Sequence, residues 1–194
     1  MMKRFSLLTM MGALCLLGAN AFAQGATDKV TGEYTGAACN GCQPGDALNF
    51  VSSRLLNAHE ASDKHPQKGF MFRWNEAGSW FALDFTDTYN TCVNIYQNGR
   101  ARIGGVVEYG NGPQVGRVFG FYLEDAGGPA YFSDKGHTVR FTWNYELVDT
   151  ARDYLKHWCD TGMLPNAPLE GYAVWPSIVI DGNLVIHNSP KDGD

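Results

Sequence analysis

Four cysteines in the body of the chain, Cys39, Cys42, Cys92 and Cys159, carry its most distinctive chemistry. Cys39-Asn40-Gly41-Cys42 has the spacing of thiol–disulfide catalysts, in which Cys39 would be the nucleophile and Cys42 the resolving thiol. That chemistry needs a depressed thiol pKa, usually supplied by the start of a helix packed on a βαβ sheet. Here Gln43-Pro44-Gly45-Asp46, a turn, follows the motif, and no βαβ pattern surrounds it. Cys39, Cys42, His157 and Cys159 are suitable ligand types for tetrahedral zinc, but their spacing matches no compact finger. An even number of cysteines in an oxidising compartment points instead to two structural disulfides. Four cysteines allow three pairings, and the sequence does not choose among them. A Cys39–Cys42 bond would close a tiny ring. Two long-range bridges from the Cys39/Cys42 turn to Cys92 and Cys159 would each contribute about 4 kcal/mol through chain entropy.

Carboxylates offer weaker patterns. Glu124, Asp125 and Asp134 surround a Gly-rich loop that could offer oxygen ligands to calcium. They lack dense Asp-x-Asp-x-Asp spacing, and turn chemistry built on Asp-x-Gly is the plainer reading. His59 and Glu60, with Asp63 and His65 nearby, could form an acid–base or metal cluster. Asp84 and Asp87 could serve as a hydrolytic pair. Proximity within a loop does not set such geometry, so solvated loop polarity is expected. Ser52-Ser53 has no Lys at catalytic spacing, and no Gly-x-Ser-x-Gly elbow occurs.

The segments that must hold these groups mostly alternate with a period of two. Phe70–Trp74 and Trp80–Phe85, joined through Gly78, read as a hairpin. Cys92–Tyr96 and Ala101–Val107 read as another, with Asn98-Gly99 suited to a type I′ turn. Gly104-Gly105 within its second strand suggests a bulge or a close backbone approach. Arg117–Leu123 forms a further strand, and His137–Tyr145 should place Val139, Phe141, Trp143 and Tyr145 on one face. Ala173–Ile180 and Leu184–His187 flank Asp181-Gly182-Asn183, a third hairpin signal. Ala47–Glu60 leans to strand. Ala151, Tyr154, Leu155 and Trp158 fall at helical spacing, so a short helix is expected near 150–160. The pattern predicts an all-β fold: a single antiparallel β-sandwich, with a barrel as the alternative, and one short helical insertion.

Residues 1–23 read as a secretory signal peptide: Lys3-Arg4, an apolar core, then Ala21-Phe22-Ala23 for cleavage. Cys15 within that core follows Leu14, which is unlike a lipoprotein cleavage site. Residues 24–194 then form one domain, long enough to bury about 70% of its unfolded surface. It would retain 13 basic against 20 acidic residues, a net charge of −7. That balance argues against nucleic acid or an anionic membrane as partner. No later stretch approaches the ~20 apolar residues of a membrane span. The expected location is secreted or periplasmic.

Cys92-Val93-Asn94-Ile95-Tyr96, Ile103-Gly104-Gly105 and Phe119–Pro129 with its Asp-x-Gly-x-Pro loop form a recurrent pattern, together with the closing Gly182-Asn183-Leu184-Val185-Ile186-His187. It resembles exported bacterial β-sandwich proteins of no assigned activity, over residues 57–188. It departs at Tyr131–Lys135 and in the insertion from Asp149 to Leu169. The resemblance implies a β-sandwich and brings no catalytic residues. The five tryptophans, Trp74, Trp80, Trp143, Trp158 and Trp175, are expected mostly in the core; an exposed row would instead stack against sugars. The functional expectation is a non-catalytic module binding a glycan or another envelope protein. An oxidoreductase using Cys39 and Cys42, or a hydrolase using loop carboxylates, is the competing class.

Overall fold

The computed structural model describes residues 28–38, 49–127, 134–164 and 166–187. The signal-peptide segment, Cys39, Cys42 and residues 128–133 of the Gly-rich loop lie outside them. The ten described strands are β1 (Lys29–Ala38), β2 (Asn49–His59), β3 (Lys68–Asn75), β4 (Trp80–Asp84), β5 (Thr91–Tyr96), β6 (Arg100–Val106), β7 (Tyr109–Gly110), β8 (Val118–Glu124), β9 (Lys135–Arg140) and β10 (Ala173–His187). One helix, α1 (Val148–Thr161), interrupts them. All strands join one antiparallel sheet in the order β5-β6-β8-β9-β10-β1-β2-β3-β4-β7. Phe81 of β4 stacks on Phe119 of β8 at 5.4 Å although their strands lie far apart in that order, so the sheet curls on itself.

Alternation along each strand creates an inside and an outside. Leu56, Met71, Leu83, Ile95, Ile103, Phe121 and Leu184 fill the interior of the curl. The outer side of β8 is covered as well, by α1. Helical spacing puts Ala151, Leu155, Trp158 and Cys159 on one buried face, packed with Val118, Val139 and Phe141. The helix can approach because Gly104 and Gly120 are directly paired beneath it. A Cβ on Gly120 would lie 2.6 Å from Trp158, and one on Gly104 would lie 2.7 Å from Leu155. Gly104-Gly105 thus serves a close approach; pairing through it is continuous on both sides.

The C-terminal end of α1 is fastened in several ways. Gly162 ends it in the left-handed conformation, at φ 79°. Arg102 reaches the carbonyls of Trp158 and Cys159, a favourable place for a cation at a helix C-terminus. Asn94 and the Tyr96 hydroxyl donate to the Cys159 carbonyl too. Cys159 is disulfide-bonded to Cys92 of β5, 67 residues away. Of the three pairings the sequence leaves open, this bond excludes the two that bridge the Cys39/Cys42 turn to Cys92 and Cys159; α1 lies across β5 and β6, which sets its cysteine against Cys92.

Several sequence expectations are met in detail. Asn98 and Gly99 sit at φ 72° and 67°, as a primed turn between β5 and β6 requires. Two differ. Asp181-Gly182-Asn183 makes no hairpin; β10 runs straight through it, paired with β1 on both sides of a register shift. Ile180 is the residue left without a counterpart at that shift, and Gly182, paired with Tyr34, takes a positive φ of 88° within the strand. His137–Tyr145 also stops early. β9 ends at Arg140, the Trp143 N–H turns to the Glu170 carbonyl, and the Asn144 side chain caps a 3-10 turn over Tyr145–Leu147. Val139 and Phe141 stay buried, whereas Trp143 and Tyr145 are 38% and 56% exposed.

Gly120→Val should strand α1 by forcing a branched side chain into Trp158. The expected loss is about 1–3 kcal/mol in urea unfolding, with β-type circular dichroism retained. Reduction of Cys92–Cys159 should cost about 4 kcal/mol, read as a fall in urea midpoint with dithiothreitol present.

Candidate functional site

The outward side of β3 and β4 carries an aromatic row. Phe70, Phe72 and Trp74 share one parity of β3, opposite to the inward Met71 and Arg73. Trp80, directly paired with Trp74, adds a fourth ring. Phe72 lies 5.5 Å from Trp74 and 5.4 Å from Trp80, centre to centre. Phe70 and the neighbouring Leu55 are 42% and 40% exposed. At the Trp74 end an open cleft of about 280 Å³ brings Glu33, Thr35, Ser53 and Asp181 beside the indole. The Thr35 and Ser53 hydroxyls are 3.0 Å apart. The surface thus combines flat apolar rings with hydroxyl and carboxylate groups.

Of the five tryptophans, only Trp158 is fully buried; Trp74, Trp80 and Trp175 are half-buried. Trp143 belongs to a ladder of rings and guanidiniums rather than to an inner face. Arg117 stacks on Tyr145 at 3.7 Å and Trp143 at 4.3 Å, and Arg140 stacks on Trp143 at 4.3 Å and Trp175 at 5.0 Å. These contacts hold Arg117 although it is 5% exposed.

Six of the acidic groups singled out from sequence accept hydrogen bonds from nearby donors. Asp84 accepts from the Thr86 N–H and hydroxyl, and Asp87 from Tyr89 and Asn90; each caps its own turn. Glu60 accepts from the Ile95 N–H at 3.0 Å, while His59 contacts Asn57 at 3.1 Å. Burial, aided by Lys68 and Lys29, pulls His59 below the ordinary imidazole range. His65 donates its backbone N–H to Ser62. Glu124 faces Arg100 and the Tyr122 hydroxyl. Asp125 divides its oxygens between the Gly127 and Ile186 N–H groups, and Asp134 accepts from Ala126. Among the described residues, no group of three or more His, Cys, Asp or Glu is placed to hold a metal ion. The zinc set loses a ligand outright, because the Cys159 sulfur is bonded to Cys92.

Other side chains escaped the sequence reading. Arg54 and Arg73 point into the curl with Leu56 and Met71. The alternation Ser52-Arg54-Leu56-Ala58 contained that signal, since Arg54 shares the parity of two core residues. No family model matches the chain, and neither a curated protein nor a solved structure is similar to it.

Trp143→Leu, which strips one stacking face from Arg117 and one from Arg140, should lower stability by about 1–3 kcal/mol in urea unfolding.

Proposed function

We propose that the protein is an exported, non-catalytic module that binds a glycan chain along the outer face of β3 and β4. The observation that carries this reading is the row Phe70, Phe72, Trp74 and Trp80, ending at a cleft with Glu33, Thr35, Ser53 and Asp181. Sugar rings present apolar C–H faces and hydroxyl edges. Aromatic rings take the first, and carboxylates and hydroxyls take the second. The disulfide and the signal-like leader support export to an oxidising compartment. That Asp84, Asp87, Glu60 and Asp125 are each engaged by turn or strand N–H groups favours binding over hydrolysis. Of the two architectures expected, the reading prefers a flattened barrel, since side chains between β2 and β3 reach the edge of β5.

A panel of soluble polysaccharides, followed by tryptophan emission, tests the reading. At least one polymer should bind saturably, and Trp74→Ala should weaken it roughly 10-fold, the effect of losing about 1.4 kcal/mol of stacking. A panel silent throughout, or binding indifferent to Trp74→Ala, would remove it.

A further inference from the structure

The interior of the curl is not apolar throughout. At one end Arg54 from β2, Arg73 from β3 and Arg140 from β9 line a cavity of about 190 Å³. Arg54 is 4% exposed, and its Nε has no hydrogen-bond partner. Its guanidinium lies 5.3 Å from the Tyr34 ring centre and 6.0 Å from that of Phe121. Arg73 donates its Nε to the Ser52 hydroxyl at 3.0 Å. Burial first, then repulsion from Arg54, pushes Arg73 down to about 9, with Tyr34 acting the other way. Arg140 donates its Nε to the Gly171 carbonyl at 2.7 Å and stacks between Trp143 and Trp175; burial, then Arg117, lowers it as well.

Among the described residues none of the three has an acidic partner: the ion pairs there are Arg100–Glu124 and Arg152–Asp149, and no described carboxylate lines the cavity. A chain with a formal charge of −5 has thus gathered three like charges in one concavity with no described residue to match them. Desolvated cations so placed cost stability, and methionine or leucine would fill the same space at less expense. The backbone is also shaped for them. A Cβ on Gly36 would lie 2.2 Å from Arg54 Nη1, so that glycine, set at a register shift in β1, leaves room for the guanidinium.

We propose that this mouth binds a small hydroxylated organic oxyanion, its charged group held by Arg54, Arg73 and Arg140. Guanidinium forks match carboxylate and phosphate geometry, and convergent positive charge favours an anion over a neutral sugar. The hydroxyl requirement comes from Gln114, whose buried Oε1 has no donor among the described residues, and which lines the same cavity with Thr138 and Ser177. Phe119 and Trp175 supply apolar wall for the body of the ligand. At about 190 Å³ the cavity falls below the ~300–1,000 Å³ common for drug-sized ligands, the scale of a single ring rather than a chain. The three guanidiniums lie on the side of the sheet opposite Phe70 and Phe72, although Trp74 at the end of that row lines an adjoining cleft with Arg73 and Gln114.

Glucuronate, glucose and inorganic phosphate are suitable probes, each against a sodium chloride control of matched ionic strength. Thermal melting and the emission of Trp143 and Trp175 are the readouts. Glucuronate should raise the melting temperature saturably and glucose should not. An added response to phosphate supports recognition of the oxyanion itself; a response to glucuronate alone supports the acid-sugar form. Silence with both anions, or an equal response to glucose, overturns the proposal. Arg54→Met and Arg73→Met should each bind glucuronate roughly 10- to 100-fold more weakly, the scale of a lost charge-assisted bond. Their unliganded melting temperature should not fall, because each removes a repelled charge. Gly36→Ala keeps every charge and displaces Arg54; it should weaken glucuronate too, and it decides the matter if the methionine variants do not fold. Undiminished binding in Gly36→Ala and in each methionine variant that folds overturns the proposal. Phe70→Ala, at the far end of the outer aromatic row, should leave the glucuronate response unchanged.

Discussion

The interior exists because the curl is sealed at β5 by side chains. β5 ends the order of the described strands, so the N–H groups of Val93 and Ile95 face away from its neighbour there, β6. Gln67, in the connection between β2 and β3, accepts from Val93 at 2.9 Å and donates to the Phe85 carbonyl at 2.9 Å and the Thr91 hydroxyl at 3.0 Å. Glu60, in the same connection, takes the Ile95 N–H. One nearly buried amide thus makes three bonds and does the work of a missing strand. Each such bond contributes only about 1 kcal/mol net, but an orphaned buried donor costs about 1–3 kcal/mol. That asymmetry makes the seal specific. It brings Phe81 against Phe119 and gives the arginine-lined mouth its walls.

β8 is the strand on which the two sides of the molecule meet. Phe119, Phe121 and Leu123 face the inner core, while Val118 and Gly120 face the helix. A strand buried on both sides cannot shift register without moving large rings into the helix and small residues into the core. The disulfide and the Arg102 contacts then fix the helix end, so the outer layer is locked to β5 and β6. Phe119, on the inner side of the same strand, forms part of the cavity wall. The position of that wall is therefore set by packing on both faces of the sheet.

Elements whose signals are local were legible. The primed turn at Asn98-Gly99, the helix spanning Ala151 to Cys159 and the hairpin through Gly78 each follow from a few adjacent residues. What was not legible depends on distant partners. Asp181-Gly182-Asn183 has hairpin chemistry, but β1 supplies pairing partners on both sides of a single register shift and the strand continues along it. Trp143 and Tyr145 follow the alternation, yet the Glu170 carbonyl draws the chain off the sheet. The inward arginines were hidden because Arg usually marks a solvent face; only parity with Leu56 and Met71 betrayed them. The aromatic row was foreseen only as an alternative to burial. Alternation says that Phe72 and Trp74 share a side, but which side is the core depends on how the sheet curls.

β1 and β10 are neighbours in the interior of the strand order, with Lys29 opposite His187. The earliest and latest strands described therefore form the seam between β9 and β2. A chain emerging from the ribosome can assemble β1 to β4 with β7 as one piece and β5, β6, β8 and β9 as another, joined on one side by the Gln67 and Glu60 bonds to β5, but backbone pairing across the other side waits for β10. Such non-local pairing implies slow folding, since the entropy of a very long loop must be overcome in a single late event. Until β10 pairs, β1 and β9 each present unpaired backbone N–H and C=O groups along the open seam.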